Sequence, residues 1–247
     1  MLKWWWSIRC FKSLIPLVII ILLAACQQTP ALRSPLPTPE ILRIQYTPAL
    51  RSWAAALHRC ANDLPLAGLV VNETPANRLD LAASDLALRF GPAALLPPSA
   101  LKLGMDEVVL IVNPANPAAS LDPGAVASIY TGKVVQWNDL LKGQTHPIQA
   151  WSYLPGDDLR QVFDAAFLGD QPLTPRAYLA PDAAAMLEAV AKEPSAIGYV
   201  LKSLLDKTVR QLSLNGQPAF DLRQPILALA KSEPHGNLRQ LLLCLQK

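Results

Sequence analysis

The stretch "YLPGDDLRQVF", Tyr153 to Phe163, sets two adjacent carboxylates, Asp157 and Asp158, after a Pro-Gly turn and at the head of a helical run that carries Arg160. A helix leaves its first N–H groups without intrahelical partners and carries a positive dipole end, so an acid there stabilises it by about 0.3–1 kcal/mol. Two readings follow for the pair: capping of the helix, or a carboxylate that faces a cleft and selects a neutral hydrogen-bonding or cationic ligand. Adjacent helical residues point about 100° apart, so the two converge poorly on a metal ion. "SALK", Ser99 to Lys102, has the Ser-x-x-Lys spacing of an activated serine but lacks the Ser-Asp-Asn and Lys-Thr-Gly partners, and "TGK" has the wrong order. His58, His146 and His235 stand alone, without ligand or triad spacing. The chain is therefore expected not to be an enzyme and to need no cofactor or metal.

The N-terminus speaks to location. Lys3, Arg9 and Lys12 precede an apolar run, Leu14 to Ala25, of about twelve residues, too short for a span of ~20 and right for a signal peptide. The run ends "LAAC", which resembles the bacterial lipobox with Cys26 as the lipidated residue, so residues 1–26 are expected to be a lipoprotein signal peptide. Residues 27–40 hold four prolines and read as a semi-extended tether. Two acyl chains on Cys26 would suffice for stable membrane residence, where one would not. The formal net charge of +3 comes from Lys3, Arg9 and Lys12. Beyond Cys26, basic and acidic residues balance, and no basic stripe offers nucleic acid a footing. Cys60 and Cys244 remain in an oxidising compartment, where a disulfide or two buried thiols are both open; a bond would place the last helix against the first.

Roughly 205 residues lie beyond the tether, enough for one large core or two smaller ones. "EILRIQY" reads as a strand, followed by Thr47 as N-cap, Pro48 at the first helical position and an amphipathic helix to about Ala61. "AGLVVN" is a short strand, and "DEVVLIVNP" has the continuous apolar run of a strand buried on both faces. "DPGAVASIYTG", "DDLRQVFDAAFL" and "PDAAAMLEAVAKEP" read as helices, "VVQWNDL" as a turn with a short helix, and "PIQAWSY", "SAIGYV" and "PILALA" as strands. "HGNLRQLLLCLQK" closes the chain as a helix. Strands alternate with helices, so an α/β fold with largely parallel sheets is expected.

Five segments, "LAASD", "VVLIVNPANP", "IYTGKVVQWNDL", "PIQAW" and "AIGYV", occur in the order seen in the phosphate-binding proteins of bacterial ABC transporters, and the chain resembles that family from Ile41 to Val200. The resemblance implies a two-lobed type II periplasmic-binding-protein fold that closes over a ligand. Lobe 1 would comprise residues 41–112 and 201–247, lobe 2 residues 113–200, with crossings near Asn113–Asn116 and Tyr199–Lys202. It also implies that Asp85, at the "ASD" position, accepts a hydrogen bond from the ligand. Of the family's first Gly-Ser-Thr loop, only Thr47 keeps a hydroxyl. Its second loop runs Arg-Glu-x-Gly-Ser-Gly-Thr-Arg; with the last arginine on Arg160, Gly156 keeps the glycine, while Tyr153, Asp157, Asp158 and Leu159 replace the first arginine, the serine, the second glycine and the threonine. The implied ligand set is thus Thr47, Asp85, Tyr153, Gly156, Asp157, Asp158 and Arg160, with Trp137 in the core. The implied role is a lipid-anchored, extracytoplasmic solute-binding protein that captures phosphate, a related oxyanion or another small solute and delivers it to an ABC permease. A receptor or assembly protein that keeps the fold without transport is the alternative.

Overall fold

A computed structural model of the chain describes residues 38–92, 97, 99–143 and 146–246; Cys26 and the tether up to Pro37 lie outside them. Among the described residues, no helix is long and apolar enough to cross a membrane. Two α/β lobes share one curled sheet. In the first, β1 (Glu40–Tyr46) lies between β2 (Ala67–Glu73) and β3 (Leu86–Phe90), parallel to both. Thr47 and Pro48 start a helix as expected, but it begins as a 3-10 turn, Pro48–Trp53. Non-helical geometry at Leu50 separates this turn from α1 (Ala54–Asn62).

One link between lobes is a long strand. β4 (Ser99–Val112) pairs antiparallel with β10 (Arg223–Ala230) as far as Glu107, and from Val108 onward with β8 (Ala196–Leu201) and β9 (Arg210–Leu214). Its second half is the buried run "VVLIV", sandwiched as the apolar pattern requires. The Ser-x-x-Lys motif opens this strand, and a three-residue step along a strand turns Ser99 and Lys102 to opposite faces, which removes it as a catalytic pair.

One crossing differs from expectation. The outward one falls at Glu107/Val108, where Lys202 pairs with Glu107 at 2.9 Å, and not at Asn113–Asn116. Asn113 instead donates to the carbonyls of Val190 (3.2 Å) and Ala191 (2.6 Å), and Asn116 to that of Pro194 (2.8 Å), pinning the end of β4 inside the second lobe. Near Tyr199–Lys202 the chain leaves β8, and Lys202 and Ser203 bond Glu107 and Asp106 on the first-lobe side of that change of partner. β9 then pairs with the second-lobe half of β4, and the segment between Leu214 and Arg223 joins it to β10. A five-residue strand with one apolar alternation is too weak a signal to read from sequence.

The second lobe adds β5 (Ser120–Leu121), β6 (Gln149–Tyr153) and β7 (Tyr178–Ala180), with α2 (Pro123–Tyr130), α3 (Asp158–Phe163, continued by a π turn, Asp164–Leu168) and α4 (Ala183–Lys192) packed on the sheet. Its core is aromatic. Phe163 stacks on Tyr199 with centroids 4.0 Å apart, and Tyr130 lies 4.5 Å from Phe163. Trp137 is buried and its indole donates to the Ser195 carbonyl at 2.9 Å.

In the first lobe α5 (Gly236–Leu245) packs on α1, and Cys60 and Cys244 form a disulfide with Cα atoms 5.8 Å apart, closing 184 residues of sequence. Of the two states left open for these cysteines, the structure adopts the bonded one. A bond across so long a loop removes much denatured-state freedom, so replacing both cysteines with alanine should lower stability by about 2–5 kcal/mol, read from urea unfolding midpoints of the chain from Gln27 onward. The same chain, oxidised and denatured, should show no reactive thiol.

Candidate functional site

The parallel register of β1 and β3, with Ile44 beside Leu86 and Tyr46 beside Leu88, brings their C-terminal ends together at the seam between lobes. Thr47 N–H donates to the Leu88 carbonyl at 3.0 Å, and Arg89 and Phe90 follow. Every residue of β3 is buried, Arg89 included. A guanidinium in that setting must find an anion or forfeit its hydration.

The anion comes from the other lobe. Val162 and Phe163 seat α3 in the aromatic core, which aims the helix start at the seam. Asp158, fully buried, accepts from Arg89 Nη2 at 2.9 Å through one carboxylate oxygen and from Phe90 N–H at 2.9 Å through the other. Gln161 takes a second, longer bond of 3.3 Å from the same guanidinium nitrogen. The Thr47 hydroxyl favours the charged form of Asp158, yet Thr47 Oγ1 makes no hydrogen bond and ends buried without a partner, as does Arg89 Nε.

Asp157 has a different task. It is the N-cap of α3, accepting from Leu159 N–H at 2.8 Å. Burial and then the neighbouring charge of Asp158 push its carboxyl up to about 7, against the pull of the Leu159 and Arg160 amides. Asp158 is also raised by burial, opposed by Arg89, Thr47 and Phe90 N–H. The two readings of the acidic pair therefore divide between its members: Asp157 caps, and Asp158 faces the seam.

Two further contacts join the lobes. Ala76 N–H donates to the Gly156 carbonyl at 2.9 Å; Gly156 has φ +90°, and a Cβ there would meet Asn77 Oδ1 at 2.7 Å, so this close approach requires glycine. Arg51, bonded through two nitrogens to Glu73 at 2.6 Å, also pairs with Asp182, the N-cap of α4. Beside this pair, between the 3-10 turn and α4, lies an open cavity of about 290 Å³ lined mainly by Pro48, Ala49, Ala183, Leu187 and Leu204.

The structure brings together Thr47, Gly156, Asp157 and Asp158 and moves three expected residues elsewhere. Asp85 sits at the opposite end of β3 from the seam, exposed, accepting from Arg43 N–H at 2.7 Å and lining a separate cavity of about 530 Å³ with Lys231 and His235. Parallel pairing sets it beside Arg43, well before the end of β1, so it cannot reach a ligand in the cleft. Tyr153 is buried and donates to the Tyr199 carbonyl at 3.1 Å, which makes it a core residue. Arg160 turns back into its own lobe, to Asp164 at 3.1 Å and the Tyr153 carbonyl at 3.0 Å. Arg89 is absent from the sequence-based set, although a lone charge inside "LALRF" is a usable sign of a buried ion pair. Among the described residues no group of three or more His, Cys, Asp or Glu side chains is placed to hold a metal ion.

A family model described as a PBP superfamily domain matches residues 94–229, more than half of the chain. The chain belongs to this superfamily. Solved structures share its fold over most of its length. One is a Clostridium perfringens protein described as a putative phosphate ABC transporter substrate-binding protein with bound phosphate: TM-score 0.71, 19% identity, 83% of this chain and 92% of that one. An ABC-type phosphate transport receptor from Vibrio cholerae gives 0.65 at 16% identity over 84% and 94%. The reduced form of the OxyR2 regulatory domain from Vibrio vulnificus gives 0.59 at 13% over 86% and 98%. At these identities the shared property is the PBP fold. No curated protein sequence matches the chain.

Two outcomes follow for this PBP site. Arg89→Met alone should cost about 3–5 kcal/mol of stability by stranding the Asp158 charge, whereas Arg89→Met with Asp158→Leu should recover most of it; urea unfolding of both variants checks this. For Asp157, a folded-state pKa near 7 against an ordinary 3.8 means that the folded chain binds more protons between those values. Its contribution to stability should thus grow as pH falls from 8 to 5, by at most ~1.4 kcal/mol per pH unit, and Asp157→Asn should lose that increment when melting curves are compared across pH.

Proposed function

We propose that the protein is an extracytoplasmic solute-binding protein, held at the membrane by lipid on Cys26, that takes a small solute between its two lobes and delivers it to an ABC permease. The observation that carries this reading is the meeting, at one seam, of the ends of β1 and β3 with the start of α3, so that groups from both lobes converge on a single point. A solute that touches both sides favours the closed state by its differential affinity, which is what a permease needs to distinguish loaded from empty. The likeness to phosphate receptors supports the class of protein. It does not extend to phosphate as the solute, because Asp158 places a carboxylate against the guanidinium and amide that would hold an oxyanion.

A second reading, a receptor or assembly protein that keeps the fold without carrying solute, is favoured by the same carboxylate, since it joins the lobes through the protein's own atoms. The fold is shared with a protein described as the regulatory domain of OxyR2.

The experiment is a thermal-shift screen of the chain from Gln27 onward against oxyanions, amino acids, sugars and small amines. A carrier should gain about 2.7 kcal/mol at a hundredfold excess over its dissociation constant, a clear rise in melting temperature for at least one solute, with phosphate weak at millimolar concentration. No response to any class would remove the carrier reading and leave the receptor.

A further inference from the structure

Lobe 1 presents three groups suited to an oxyanion at the ends of β1 and β3: the Arg89 guanidinium, the Phe90 N–H and the Thr47 hydroxyl. Asp158 accepts from two of them, and the third, fully buried, is left without a partner. Arg89 Nε is likewise buried and unpartnered. A site evolved only to pair Arg89 with Asp158 has no use for this surplus of donors. A site that accommodates a free oxyanion, and into which a side chain of the opposite lobe has been placed, leaves such a surplus. Asp158 reaches it from α3, so the bond it makes is also a bond between lobes.

We propose that Asp158 is the protein's own ligand: its carboxylate occupies the oxyanion pocket of Arg89, Phe90 N–H and Thr47, closes the lobes without solute, and excludes external phosphate or carboxylate. This rests on the reading of the seam as the binding site. Tethering gives the carboxylate a high effective concentration at the pocket, so a free oxyanion in the same pocket competes at a disadvantage without any defect in the pocket itself. Closure follows from the same contact, because the tenant binds one lobe and belongs to the other. The Ala76–Gly156 bond and the Arg51–Asp182 pair add to closure but lie outside the pocket and leave its occupancy to Asp158.

The test is chemical rescue, read by small-angle scattering and calorimetry on the chain from Gln27 onward. The natural chain should have the compact radius of gyration with no additive and should not change with acetate or phosphate. Asp158→Ala should expand, and either anion should return it to the natural dimensions, with a phosphate dissociation constant lower than that of the natural chain by about tenfold or more. Adding Arg89→Gln should abolish the response. If Asp158→Ala does not fold, Asp158→Asn, which keeps the volume and loses the charge, serves with the same readouts. An Asp158 variant that stays compact without anion, or that opens and responds to neither probe, overturns the proposal. So does a natural chain that binds phosphate as tightly as the variant. A natural chain that answers no solute in the screen yet passes the rescue test keeps self-closure and loses the carrier role. One that is open when empty and closes on a solute does the reverse.

Discussion

The rest of the structure is arranged around one buried ion pair, Arg89 with Asp158. Taking a guanidinium and a carboxylate out of water costs several kcal/mol each, and their attraction repays this only when the remaining donors and acceptors are satisfied. Here the second carboxylate oxygen takes the Phe90 amide and Gln161 assists the guanidinium, so the pair is compensated, while Thr47 Oγ1 and Arg89 Nε remain outside the compensation. Because the charges belong to different lobes, neither lobe can turn away without exposing an uncompensated partner. Lobe geometry and site chemistry are therefore set by the same contact.

Holding those two charges in register takes most of the fold. Parallel pairing of β1 with β3 sets Arg89 and Phe90 beside Thr47. The stacked ring of Phe163 on Tyr199 fixes α3, and Asp157 caps it, so Asp158 arrives at the seam already oriented. β4 runs through both lobes and gives them one continuous sheet, with Glu107 and Lys202 paired where its partners change. The disulfide between α1 and α5 ties the last helix of the first lobe to its first. Two adjacent buried acids add electrostatic strain: burial raises both, and the unpaired Asp157 is pushed up to about 7 while Asp158 has the arginine opposing the shift.

Much of this is legible in local pattern. Thr47 with Pro48 marks a helix start, "VVLIV" a strand covered on both faces, and the acidic pair a helix head, each because the signal depends on neighbours in the chain. The misplacements share a cause. A motif assigns Asp85 to the cleft, but only strand register decides which end of β3 faces it, and the register puts Arg89 there. Tyr153 and Arg160 flank the loop in sequence, yet Tyr153 is buried at the end of β6 with its hydroxyl on the Tyr199 carbonyl, and Arg160 turns back to Asp164 and the Tyr153 carbonyl. β9 is invisible in the sequence because five residues with little alternation carry almost no periodic signal.

By itself, then, the sequence established most of the longer α/β elements, the balanced charge and the presence of two acids at the head of a helix. These are properties of short windows, set by periodicity, capping and composition. Tertiary structure alone decided which of the two acids caps and which is buried against an arginine 69 positions earlier in the chain, and that Cys60 meets Cys244. The physical reason is that a charge buried between two lobes is defined by its partner, and nothing in the sequence near Asp158 specifies Arg89.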